Sequence, residues 1–134
     1  RFLFLTIACL FSIWGMAQSD TDTYVEVLYF HGAQRCITCR AIEANTVALL
    51  DSLYSQEKAN GKIIYKVVDI SKKENEAIAD KYEVTWSSLF VNGWKDGKEN
   101  VNNMTEFSFS NARNAPDKFK EGIKSKIDEL LKQL

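Results

Sequence analysis

The chain has 134 residues, 46% of them hydrophobic, which is enough for one globular domain and too little for two separately cored ones. A single proline and six glycines argue against a linker-rich or disordered chain. With 17 basic and 18 acidic residues spread along it, the formal net charge is −1, and no basic footprint for nucleic acid is present.

Residues Phe2 to Trp14 are almost continuously apolar, follow Arg1 and run into Gly15-Met16-Ala17-Gln18. Small residues at Gly15 and Ala17 suit a cut after Ala17, the layout of a secretory signal peptide whose basic region is expected to be represented only by Arg1. An uncleaved membrane anchor is the competing reading, but the run is short for a span of ~20 residues. Lipid modification of Cys9 is disfavoured by its place inside the apolar run. We expect residues 1–17 to be removed and residues 18–134 to form the mature domain, exported to the periplasm or secreted, with no membrane attachment after cleavage. Cys9 leaves with the signal, so Cys36 and Cys39 remain as the mature thiols in a compartment where disulfides persist.

After a polar leader, Ser19 to Thr23, the run Tyr24 to Phe30 reads as a buried strand, and His31 to Arg35 as a loop. From Cys36 to about Gln56 the pattern is helical. Ile42, Thr46, Leu49, Leu50 and Leu53 share one face, and Ala41, Ala44, Val47 and Ala48 make the other side small and apolar, so cover on more than one side is expected. Asn60-Gly61 is a turn, and Ile63 to Ile70 a second strand rich in β-branched residues. Ser71 with Glu74 suggests a capping box for a helix through Ile78 to Tyr82. Ser88 to Asn92 reads as a third strand, Asn92-Gly93 and Asp96-Gly97 as turns, and Lys98 to Val101 as an antiparallel return. Met104 to Arg113 is open between loop and short helix. An amphipathic helix beginning near Pro116 carries Phe119, Ile123, Ile127, Leu130, Leu131 and Leu134 in one stripe, best read as a core-packing face.

The chemistry concentrates at Cys36-Ile37-Thr38-Cys39, two cysteines three apart at a helix start that follows a strand. Helix N-terminal N–H groups and the dipole favour a thiolate on Cys36, the expected nucleophile. Cys39, one turn in and on the face of Ile42, is expected to stay protonated by desolvation until it resolves a mixed disulfide. Arg35 and Arg40 flank the pair and either favour the thiolate by Coulomb attraction or are simply solvated. His31 either lies near the sulfurs as a proton relay or third metal ligand, or is polar loop surface.

A dithiol in this strand-to-helix position, with Tyr29-Phe30, Val67-Val68-Asp69, Lys81-Tyr82-Glu83-Val84 and the C-terminal amphipathic helix, resembles the thioredoxin superfamily over essentially the whole mature chain. It also resembles exported bacterial thioredoxin-like proteins that carry a nitroreductase-subunit or arsenic-operon name. The resemblance implies an α/β, thioredoxin-like fold with a central mixed β-sheet flanked by helices, in which Cys36 and Cys39 take the nucleophilic and resolving positions. It also implies a thiol-disulfide oxidoreductase that acts on a protein partner as a monomer, with no cofactor beyond its own redox-active disulfide.

The chain departs from that family in three places. The family's cis-proline falls on Ser88, where a trans peptide is expected because a non-proline cis bond costs ~3 kcal/mol. The buried acid of the first strand is Tyr29, so a proton route through a buried carboxylate at that place is lost. The tryptophan before the first cysteine is Arg35. Ser87, Ser88, Arg35 and Arg40 are the expected substrate-facing residues. The opened space motivates an alternative, a soft metal or metalloid such as Cu(I), Zn(II) or As(III) bound by Cys36, Cys39 and His31, with Ser88 nearby.

Overall fold

The computed structural model describes residues 23–134, so the segment 1–17 that the sequence suggests as a signal peptide, and Cys9 within it, lie outside the described residues. The order is β1 (Tyr24–His31), α1 (Ile37–Leu53), α2 (Ser55–Ala59), β2 (Ile63–Asp69), α3 (Glu76–Lys81), β3 (Ser88–Lys95), β4 (Lys98–Asn100), α4 (Thr105–Asn111) and α5 (Pro116–Gln133). The strands form a mixed sheet in the order β2-β1-β3-β4. The pair β1–β2 is parallel, with Val25 opposite Ile63 and His31 opposite Asp69, while β1–β3 and β3–β4 are antiparallel. This is an α/β, thioredoxin-like fold with its sheet flanked by helices.

Strand β1 is central, and its near-continuous apolar run is what burial on both faces requires. One face carries Val25, Val27 and Tyr29 into the larger core against Ile42, Leu49 and Leu50 of α1 and Phe119, Ile123 and Ile127 of α5. The other face carries Leu28 and Phe30 into a smaller cluster with Val68, Val84 and Phe90, packed by Ile78 and Tyr82. Phe30, Tyr82 and Phe90 meet there at ring separations of 5.1–5.8 Å, typical of tilted and edge-to-face aromatic contacts.

Several local expectations need correction. Helix α1 buries one face only: Ala44, Ala48 and Leu53 are exposed. Leu53 loses its core place to Tyr54, which ends the helix at φ −128°, turns its ring inward and donates its hydroxyl to Asp128 Oδ1 at 2.6 Å. Ser71 is not a helix cap. Its N–H and hydroxyl both go to Asp69 Oδ1, at 2.9 and 2.6 Å, closing the end of β2, and a 3₁₀ turn at Lys73–Asn75 leads into α3 instead.

Asn92-Gly93 is not a turn, because β3 continues to Lys95. The hairpin turns at Asp96-Gly97, where φ values of 52° and 75° give the left-handed pair that a two-residue hairpin loop favours. Gly93 answers to packing: a Cβ there would lie 3.0 Å from Leu130 Cδ2 of α5.

The open segment after β4 forms α4. The Met104 N–H donates to Leu89 O at 2.8 Å, and Thr105 Oγ1 accepts the Leu89 N–H at 3.1 Å, docking the helix start against β3. Helix α5 begins at Pro116, where a missing N–H costs nothing, and buries Phe119, Ile123, Ile127 and Leu130. Leu131 and Leu134 are half-buried at the edge of the same stripe.

Candidate functional site: the Cys36–Cys39 pair

Strand β1 ends at His31, residues 32–35 form the loop, and Cys36 is the N-cap of the 17-residue helix α1. Cys36 and Cys39 are joined in a disulfide with Cα atoms 5.0 Å apart, within the ordinary span of such bonds. The Cys36 sulfur accepts the Cys39 N–H at 2.9 Å, so one of the helix's free N–H groups already points at it. No acidic residue occupies the first turn to oppose the dipole. Cys36 is exposed and Cys39 is 6% exposed, the asymmetry expected from the helical face each occupies.

Behind Cys39, Tyr29 is fully buried and its hydroxyl donates to the Cys39 carbonyl at 2.9 Å. Burial pushes the Tyr29 phenol above its usual pKa, and the Glu43 carboxylate adds to the rise. Tyr65, one strand over, is raised further by burial and by Glu43. Its hydroxyl is the buried side-chain polar atom without a hydrogen-bond partner among the described residues.

Arg35 does not stand free beside Cys36. Its Nη1 pairs with Glu43 Oε2, and its Nη2 lies 2.8 Å from His31 Nε2. His31 Nδ1 lies 2.8 Å from the Gly32 carbonyl, which can only accept. A guanidinium can only donate, so His31 is the Nδ1–H tautomer with Nε2 accepting from Arg35. Both ring nitrogens are engaged away from the sulfurs. No group of three or more His, Cys, Asp or Glu side chains capable of holding a metal occurs among the described residues, so His31 is not brought together with the two cysteines as a donor set. Arg40 is exposed on α1.

The sulfurs open into a groove of about 290 Å³ whose walls include Gly32, Ile70, Thr85, Trp86, Ser87 and Phe109. Trp86 is 64% exposed and stacks on Phe109 of α4, rings 5.4 Å apart and 9° from parallel. Of the two serines, Ser87 lines the groove. Ser88 is buried on the opposite face across from Phe30, with its hydroxyl donating to Trp86 O at 3.1 Å. No peptide bond among the described residues is cis, so the Ser87–Ser88 bond is trans.

No protein-family model matches the chain, and no curated protein matches it. It is similar to a solved chain described as "Structure of a malarial protein", at 21% identity over 61% of this chain and 82% of that one, with a TM-score of 0.43.

Of the residues the sequence marks, Cys36, Cys39 and Ser87 line the groove, while Trp86 and Phe109 beside them, and Glu43 on Arg35, are not among those it marks. Glu43 was findable, because it follows Cys39 by four residues and so shares its helical face. Trp86 sits two residues before Ser88, where an aromatic at the mouth of the strand was equally readable. Phe109 was not, because its position depends on α4 docking against β3.

Proposed function

We propose that this domain is a member of the thioredoxin superfamily that exchanges its Cys36–Cys39 disulfide with a protein partner in an exported, oxidising setting. The observation that carries the reading is the asymmetric pair: an exposed sulfur at a helix N-cap, already receiving a backbone N–H, bonded to a buried sulfur one turn in. The first is suited to attack and the second to resolution. The strand-dithiol-helix order and the aromatic-walled groove at the sulfurs support it.

In the reducing direction, the Cys36 thiolate attacks one sulfur of a partner disulfide and forms a mixed disulfide. The other partner sulfur departs and takes up a proton. Cys39 then loses its proton and attacks Cys36 Sγ, re-forming the Cys36–Cys39 bond and expelling the second partner sulfur as a thiol. Two electrons pass from the dithiol to the partner, and the oxidising direction is the reverse. The sulfurs themselves carry the electrons.

Cys36→Ser is expected to abolish reduction of insulin disulfides and to trap no mixed disulfide, whereas Cys39→Ser accumulates one with the partner sulfur on Cys36. Both are read by turbidity and by non-reducing gels. Unchanged turnover in Cys36→Ser would overturn the proposal.

A further inference from the structure

The Arg35 guanidinium joins three parts of the site. It ends the loop after β1, immediately precedes Cys36, and holds Glu43 of α1 through Nη1 and His31 at the end of β1 through Nη2. Glu43 is one turn beyond Cys39, and helical side chains lean toward the N-terminus, so its carboxylate reaches back toward the dithiol end of α1. The ion pair is half-buried, with side-chain exposures of 31% and 24%. Because His31 is engaged as a neutral acceptor, it orients the guanidinium without adding charge. Other charged groups nearby are Arg40 on α1, exposed, and Asp69 of β2, paired in register with His31.

We propose that the Arg35–Glu43 ion pair sets how strongly the dithiol oxidises its partner, by neutralising the guanidinium that immediately precedes Cys36. The inference rests on the exchange reading above and adds a determinant to it. The disulfide is uncharged, whereas the reduced form carries negative charge to the extent that Cys36 is a thiolate. Net positive charge nearby therefore favours the reduced dithiol and makes the couple more oxidising, and net negative charge does the opposite. With Glu43 in place, Arg35 keeps the loop in position yet contributes little net field. Arg35 and Glu43 are positioning residues, since neither touches the transferred electrons.

The test is the equilibrium of the purified mature domain with glutathione, in which one protein disulfide and two glutathione thiols give the protein dithiol and one glutathione disulfide. Glu43→Gln keeps an acceptor for Arg35 but removes the negative charge. It is expected to shift the equilibrium toward the dithiol on the order of fivefold, about 20 mV for a two-electron couple. Arg35→Gln leaves Glu43 uncompensated and is expected to shift it by a similar factor toward the disulfide. The double variant is expected to return to within about twofold of wild type, and Arg35→Lys to stay there, because charge balance is kept in both. A merely structural clamp predicts that both single variants move the same way and that the double is no closer to wild type. Shifts of the same sign, or none, overturn this inference alone. A wild-type couple that does not equilibrate with glutathione overturns the exchange reading together with it.

Discussion

Tyr29 stands, on the proposed family alignment, where a buried acid would serve the resolving cysteine, yet its phenol is spent on the Cys39 carbonyl and not on a sulfur. Its raised pKa, caused first by burial and then by Glu43, leaves it a neutral donor at any physiological pH. A neutral donor to the first turn of α1 holds the helix start against β1 without taking a proton. Tyr29→Phe is therefore expected to cost about 0.5–1.5 kcal/mol of stability in urea unfolding while leaving the rate of mixed-disulfide resolution within about twofold. A loss of tenfold or more in that rate, measured by stopped flow on a preformed mixed disulfide, would place the phenol in the proton route instead. The same distinction applies to His31 and Arg35. Residue type and proximity in sequence marked them as candidates for acting on the sulfurs, and their hydrogen bonds turn them toward each other and toward Glu43.

Among the elements, the junction of α4 and α5 carries the sharpest packing constraint. A Cβ on Gly122 of α5 would fall 2.2 Å from Phe107 Cζ of α4, so the half-buried Phe107 ring, stacked on Phe119 at 6.4 Å, would have to leave that stack. Gly122→Ala would gain helix propensity worth about 1 kcal/mol, but forcing the ring away is expected to outweigh it and leave a net loss of about 1–2 kcal/mol. Because α4 also presents Phe109 to Trp86, the same substitution is expected to red-shift Trp86 fluorescence by exposing the indole further, and unchanged stability and emission would show that the junction tolerates the added methyl. This junction also marks where the sequence stopped being legible. The central strand, the dithiol helix and α5 were readable because each has a strong period or a continuous apolar run. The turn at Asp96-Gly97 was readable too, but Asn92-Gly93 imitated it: Asn92 is fully buried, with its amide on Glu99 and its carbonyl on the Asn102 N–H, and Gly93 makes room for Leu130. Such uses of turn residues are decided by neighbours distant in sequence. So are the inward turn of Tyr54, the exposure of Leu53 and the arrival of Phe109 at the groove.

For the molecule as a whole, the C-terminal end of α1 is tied to α5 by a polar link across the core's edge, and that link gives global stability an acid dependence. Tyr54 donates to Asp128 Oδ1 at 2.6 Å, and Lys124 pairs with Asp128 Oδ2 at 2.6 Å. The Lys124 hydrogen bond first, and the Tyr54 hydrogen bond second, hold the Asp128 carboxyl below its ordinary value, and Ser71 does the same for Asp69. A carboxylate whose pKa is lower folded than unfolded favours the folded state when ionised. Its contribution is therefore complete above the unfolded value of about 4 and disappears as the pH falls through the lower folded value. Asp128 is partly exposed, with 36% of its side-chain surface open to solvent, so screening limits the effect. Asp128→Asn is expected to lose about 0.5–1 kcal/mol at pH 7. That deficit should shrink as the pH falls below the unfolded value of about 4 and wild-type Asp128 protonates. Urea midpoints of both proteins at pH 7, 4 and 2.5 check it. A deficit that stays constant across that range would mean that Asp128 acts through packing alone, and that the α1–α5 link is not what makes the fold acid-sensitive.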